Sequence, residues 1–345
     1  MFDKLIGNNH IKDVLRRLLA AKRVPNALLF AGENGVGKKH FALELAKSFV
    51  CQNPQSSEAC DVCASCRRAD KFTFPKSDDR DAFKKVIFSE HSDIGLVIPY
   101  NKNILVDAIR DLETEANFRP FQAAARFFII DDADKMNDSA SNALLKTLEE
   151  PPAVSHLFLI TPRPDALLPT IRSRCQTLRF APVETREIEN YLVKDKQAAP
   201  ADAALSARLA GGKLGNALTT DLEKFRANRA TMLNVLQSIL IKEDRAELLR
   251  LAEEMNDAKH KDEFETRLDI LQTLIHDVWT IRHHAGEKSL INLDIISDMK
   301  KFAENADAKK LAAWLSEIEA LRERLAINLN RKIAADALFM QMASQ

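Results

Sequence analysis

The chain has 345 residues with 50 basic and 50 acidic side chains, so it carries no global field that would draw it to nucleic acid. That length supports two or three domains with cores of their own, and only 9 glycines and 12 prolines argue against extensive linkers. No apolar run approaches the ~20 residues of a membrane span and the first residues form no signal peptide, so a soluble, cytoplasmic protein with no membrane partner is expected.

Ile11, Val14, Leu15, Leu18 and Leu19 recur at helical spacing, with Lys12, Arg16 and Arg17 on what reads as the solvated face. Val24-Pro25-Asn26 breaks that helix and leads into a strand, Ala27 to Ala31. Gly32, Gly35 and Gly37 follow, then Lys38, then Phe41, Ala42, Leu45 and Phe49 at helical spacing. Strand, glycine loop, lysine and helix make a P-loop: backbone N–H groups converge on phosphate oxygens, the helix dipole assists, and the lysine reaches the β and γ phosphates. The residue after that lysine should be Ser or Thr, to hold the Mg²⁺ that bridges the phosphates. Here it is Lys39. The loop can cradle an anion such as ATP or ADP, but hydrolysis is not expected from it.

Cys51, Cys60, Cys63 and Cys66 form two C-x-x-C steps that share Cys63, with eight residues between Cys51 and Cys60. Four thiolates at such spacing complete a closed tetrahedral zinc site, which is structural because no coordination position stays open. Residues 69–90 read as an insertion or mobile loop, and Leu105, Ile109, Leu112 and Ala116 as one side of a helix. Arg126 to Ile130 is a buried strand that empties into Asp131-Asp132-Ala133-Asp134. In P-loop proteins such a strand end supplies a second Mg²⁺ contact, the Asp131 position, and a carboxylate that polarises water, the Asp132 position. Leu157 to Thr161 is a further strand, and Thr161 at its end either senses a γ-phosphate or caps the strand.

Gly32 to Lys38, the four cysteines, Asp131 to Met136, Asn142 to Pro152 and Ser173-Arg174-Cys175 together resemble the clamp-loader AAA+ family of bacterial DNA polymerase III. The resemblance is dense over roughly residues 1–220 and looser beyond, where Asn328-Leu329-Asn330 is similar to that family's collar. It implies three domains: a P-loop AAA+ domain at 1–180, a parallel sheet flanked by helices, with its zinc module at 51–66; a helical lid at 181–222; and an all-α collar at 223–345. Glu184 to Leu192 and Ala201 to Leu209 would be lid helices. Phe264, Leu268, Leu271, Ile275 and Val278, then Leu311, Leu315, Ile318, Leu321 and Leu325, would be core stripes of the collar. His283 and His284 are adjacent on a helix, share no face and read as surface.

In that family the arginine of Ser-Arg-Cys is a finger inserted in trans into a neighbour's ATP site, which makes Arg174 the catalytic candidate. Where active members carry an arginine that contacts the γ-phosphate, this chain has Gly215, with Lys213 nearby as a poor substitute. Lys39 and Gly215 impair the chain's own site, while Ser173-Arg174-Cys175 leaves the contribution in trans intact.

The expected protein is therefore a stator, a non-hydrolysing subunit of the DNA polymerase complex. It would sit in a hetero-pentameric ring with tau/gamma and delta subunits and help load the sliding clamp onto primer-template DNA. The alternative is an active, tau/gamma-like motor subunit. Lys38, Asp131 and the full glycine loop favour that reading; Lys39, Gly215 and the lack of a long C-terminal extension oppose it.

Overall fold

The computed structural model describes residues 1–255, 263–284, 286, 289–325 and 331–344. Two compact units divide the chain: Met1–Tyr191 with Ala210–Asn216, and Leu192–Leu209 with Ala217–Gln345.

The first unit is built on six strands: β1 (Ala27–Ala31), β2 (Ile87–Phe88), β3 (Ile94–Val97), β4 (Arg126–Ile130), β5 (Ser155–Thr161) and β6 (Gln176–Arg179). They lie in the order β2-β3-β4-β5-β1-β6, parallel throughout except for β2, which runs against β3. The expected strands are β1, β4 and β5. The other three went unread because each is four residues or fewer and β6 is largely exposed.

Helices cover both faces, which is why β1 and β4 are apolar at almost every position instead of alternating with polar residues. On one face Leu28, Phe30, Phe127, Ile129, Phe158 and Ile160 pack under α1 (Asn9–Ala20) and α2 (Lys38–Val50) through Ile11, Leu15, Phe41 and Leu45. On the other, Leu29, Phe128, Ile130, Leu157 and Leu159 meet α4 (Val106–Ala116), α5 (Asp138–Glu149) and α6 (Pro169–Arg174) through Ile109, Leu112, Leu144 and Ile171. A short helix, α3 (Ala64–Ala69), is capped by Cys63 and carries Cys66 in its first turn.

The basic face of α1 departs from expectation. Lys12 is buried, and burial lowers its pKa against the pull of Glu187. Arg16 is clamped between Glu58 and Asp3, each at 2.6 Å. Only Arg17 is solvated. Residues 69–90 also hold more order than a loop: they include β2, and Phe72 bridges to Ser89.

A buried ion pair pins the β3–β4 edge. Asp93, fully buried, accepts the backbone N–H groups of Phe121, Gln122 and Ala123 at 2.7–2.9 Å. Arg126, equally buried, donates to the carbonyl and carboxylate of Glu115, and Phe88, Phe121 and Phe128 lie against its guanidinium at 5.2–5.5 Å.

The chain continues through α7 (Thr185–Lys196), α8 (Pro200–Leu209) and α9 (Leu214–Thr219), the first two at the expected lid positions. The second unit is helical in every element described, with α10 (Leu222–Gln237), α11 (Arg245–Met255), α12 (Phe264–Arg282), α13 (Ile296–Asn305), α14 (Ala308–Leu325) and α15 (Arg331–Ser344). Its core takes in Phe264, Leu268, Leu271, Ile275 and Val278 with Leu311, Trp314, Ile318 and Phe339. Leu315 packs at the margin, Asn328-Leu329-Asn330 lie outside the described residues, and His283 and His284 are exposed. Buried Asp277 accepts the backbone N–H groups of Ile291 and Asn292, and Arg229 forks onto Asp294.

Removing the Asp93 carboxylate leaves three half-buried N–H donors without their acceptor and takes away the counter-charge that stands 3.9 Å from the buried Arg126 guanidinium. We expect Asp93→Ala to destabilise the first unit by about 3 kcal/mol, read as a lower urea midpoint.

Candidate functional site

The P-loop leaves the C-terminal end of β1. A side chain at Gly32 would place its Cβ 2.6 Å from the Phe180 carbonyl oxygen, so only glycine lets the chain turn there. Gly37 takes a left-handed conformation (φ 97°) as the N-cap of α2, which then begins at Lys38.

Parallel register brings the other candidates to the same end of the sheet. Ala31 pairs with Thr161, and β4 beside β5 delivers Asp131 and Asp132 just past Ile130. The sequence-predicted residues Gly32, Gly35, Gly37, Lys38, Lys39, Asp131, Asp132 and Thr161 thus converge.

Their partners are one another and their neighbours. Lys38 Nζ is folded back onto the loop's own carbonyls, at 2.5 Å from Gly32 and 2.7 Å from Glu33. Burial lowers its pKa, against the attraction of Asp131 and Asp132. Lys39 Nζ lies 3.0 Å from Asp131 Oδ2. An ammonium therefore sits against the carboxylate that a P-loop enzyme would give to Mg²⁺. Asp132, in a left-handed conformation, pairs with Lys135 at 2.7 Å. Thr161 Oγ1 donates to buried Asp134 at 2.9 Å, and Arg163 holds the other Asp134 oxygen through two bonds.

The turn at Lys213 to Gly215 closes onto this loop. Gly215 donates its N–H to the Gly35 carbonyl at 2.9 Å, and Lys213 pairs with Glu33 at 3.0 Å. A Cβ at residue 215 would stand 3.3 Å from Gly35 Cα, so the missing side chain is what permits the approach.

The cysteines form a second site. The Sγ atoms of Cys51, Cys60, Cys63 and Cys66 all lie within 4.8 Å of one another, with Cys51 and Cys63 at 4.0 Å. A metal with four sulfur bonds of about 2.3 Å needs sulfurs roughly 3.8 Å apart, so this donor set fits a metal ion after a small contraction. Backbone N–H groups of Cys60, Cys63 and Cys66 point at Cys51, Cys60 and Cys63 Sγ in turn, the arrangement that stabilises thiolates. Burial opposes ionisation of Cys63, but hydrogen bonds led by the Cys66 N–H bring it down to about 6.

The loop that carries these sulfurs is tied to α2 by residues the sequence did not single out. Lys47 Nζ, itself buried, reaches Glu44, Asp61 and Asp70 within 3.0 Å. Glu58 accepts Arg16 and the Phe2 N–H, and Ser48 Oγ accepts the Ala59 N–H. A lysine inside an apolar helix face was the one available signal.

Cys175 stands apart from the cluster, and burial pushes its thiol up to about 12. Its neighbour Arg174 ends α6, immediately before β6. Leu28 pairs with Gln176, so Arg174 lies at the start of β1 and the P-loop at its finish. Five residues of strand separate them by roughly 15 Å. Arg174 and the P-loop therefore sit at opposite ends of the sheet.

A parallel sheet with a P-loop after β1, acidic residues after β4 and a polar residue ending β5 is the core of an AAA+ P-loop protein. Residues 7–184 match the family model described as "DNA polymerase III, delta subunit", and residues 224–342 match "DNA polymerase III, delta subunit, C terminal". The chain belongs to this DNA polymerase III delta-subunit family.

It is 29% identical to the DNA polymerase III subunit delta' of Bacillus subtilis (strain 168), over 95% of this chain and 91% of the relative. The delta' subunit of Escherichia coli (strain K12) is also 29% identical, over 93% and 90%. The tau subunit of Bacillus subtilis matches at 30% over 79% of this chain, which spans only 46% of that relative. The delta' relatives match end to end and the tau relative does not, so the chain is a clamp-loader subunit of the stator type. Among the described residues, no helix is long and apolar enough to cross a membrane.

Changing Cys63 and Cys66 together to Ser should abolish bound metal, measured by atomic absorption on the purified chain, whereas Cys175→Ser should leave it. Loss of metal with Cys175→Ser would refute the four-cysteine assignment.

Proposed function

We propose that this clamp-loader subunit contributes structure and one arginine to the ring while hydrolysing no nucleotide itself. The observation that carries the reading is the Lys39–Asp131 pair, which sets a fixed cation where a bridging Mg²⁺ belongs. Lys38 bound to its own loop carbonyls and the Gly215 turn packed on Gly35 support it. ATP or ADP held at such a loop would lack the groups that polarise water and neutralise developing charge.

Arg174 is assigned as a finger acting in trans. Its place at the far end of the sheet from its own P-loop supports this, since a side chain of about 7 Å cannot span roughly 15 Å of strand. A guanidinium suits the task because it keeps its charge at every working pH and presents a planar fork to phosphate oxygens.

The metal at Cys51, Cys60, Cys63 and Cys66 is assigned as zinc, which would lock the loop against α2 and offer no open coordination position. The partners are tau/gamma and delta subunits in a hetero-pentameric ring, the sliding clamp, and primer-template DNA reached through the complex, all in the cytoplasm. Residues 1–180 would be the AAA+ domain, 181–222 the lid and 223–345 the collar.

Two substitutions in the reconstituted complex test this reading. Lys38→Ala should leave ATP turnover within a factor of about two, because no chemistry passes through this loop; a tenfold loss, about 1.4 kcal/mol of barrier, would make the chain an active ATPase.

Arg174→Ala should leave the complex intact by size exclusion but cut clamp- and DNA-stimulated turnover. A finger is worth on the order of 10³–10⁵ at the one site it serves, while the remaining sites continue to turn over. Arg174→Lys should rescue poorly, since an ammonium lacks the fork. Normal loading by Arg174→Ala would remove the assignment.

A further inference from the structure

Arg174 does not hang free at the end of its helix. Its Nη1 donates to the Thr170 carbonyl of α6 at 3.0 Å, and its Nη2 donates to Glu149 Oε1 at 2.9 Å. Two acceptors on two different elements thus fix the guanidinium plane.

Glu149 is an unusual residue for its own position. It ends α5, where the helix macrodipole favours a cation and disfavours a carboxylate. Nothing in the stability of α5 calls for an acid there, and the partner it meets lies on the next helix.

The surroundings suit positioning rather than capture. The two side chains remain 35% and 53% exposed, so the pair is weak and does not compete with a charge-assisted bond to phosphate. Arg174 also borders a cavity of about 400 Å³ lined by Asn26, Leu148, Pro151 and Cys175, which leaves the guanidinium room on that side.

We propose that Glu149 is a positioning residue: with the Thr170 carbonyl it holds the Arg174 guanidinium in one orientation, from which the arginine enters a neighbour's nucleotide site. The proposal rests on the trans-finger reading of Arg174. Glu149 touches no nucleotide; it lowers the conformational entropy that a long, flexible side chain loses on engaging the phosphate.

The test is a double-mutant cycle on the fully reconstituted complex, with clamp- and DNA-stimulated ATP turnover as readout. Glu149→Ala should lower kcat roughly two- to fivefold, the range of a half-exposed ion pair, with KM unchanged. Glu149→Gln, which keeps an acceptor oxygen, should lose less. Raising salt should shrink the difference between wild type and Glu149→Ala, because the pair is screened.

In an Arg174→Ala background, Glu149→Ala should have no further effect. Equal losses in both backgrounds, or a lowered melting temperature that tracks the rate loss, would make Glu149 merely structural and overturn the proposal. A faster rate with Glu149→Ala would overturn it too, because Glu149 would then restrain the arginine. An unchanged rate in both Glu149 variants, with Arg174→Ala still impaired, would sink this proposal alone. Normal turnover in Arg174→Ala would sink the finger reading and this proposal with it.

Discussion

The parallel pairing of β1 between β5 and β6 is the constraint on which the functional geometry depends. Parallel strands present all their C-terminal ends on one edge and all their N-terminal ends on the other. The P-loop, the acidic pair after β4 and Thr161 therefore gather at one edge. Arg174, which precedes β6, is delivered to the opposite edge by the same pairing. A chain folded this way holds its glycine loop at one edge and Arg174 at the other, and it cannot bring the two together. The role proposed for Arg174 therefore needs a second subunit, whose cradle would face that far edge.

At the cradle, Lys39 and Gly215 each have a physical consequence. A threonine after the P-loop lysine would offer a hydroxyl of the right length for a metal; Lys39 instead extends to Asp131 and neutralises it. A side chain at 215 would crowd Gly35 Cα at 3.3 Å, whereas glycine lets backbone meet backbone there. Gly32 passes beneath Phe180, where a Cβ would stand 2.6 Å from the carbonyl oxygen. The groups that a P-loop enzyme would turn to chemistry are engaged within the chain, Lys39, Asp131 and Asp132 in ion pairs and Lys38 and Thr161 in hydrogen bonds.

The cysteine loop shows the same economy of charge. Lys47 would be costly to bury alone on α2, and three carboxylates at Glu44, Asp61 and Asp70 satisfy it. Two of them also anchor the segment that carries the sulfurs. Burial works against ionisation of Asp61, yet the hydrogen bonds from Lys4 and Lys47 hold it well below the usual carboxylate range. The charge therefore stays in place at neutral pH and ties the loop to α2.

The sequence by itself determined the elements whose signals are local. The glycine loop, the apolar strands β1, β4 and β5, the C-x-x-C steps and the helical stripes of the second unit all rest on spacing within a few residues, and spacing is what a sequence records. It also exposed the two substitutions that matter at the cradle, Lys39 and Gly215. Tertiary structure alone decided where charges meet. Lys12 and Arg16 read as a solvated face until Glu187, Glu58 and Asp3 are placed beside them. The bonds from Lys39 to Asp131, Thr161 to Asp134 and Arg174 to Glu149 join residues 25 to 92 positions apart. The short edge strands went unread for the same reason: two to four residues carry too little periodicity, and their pairing partners lie elsewhere in the chain. Such contacts depend on register across the sheet and on helix packing, and no periodicity along the chain encodes either.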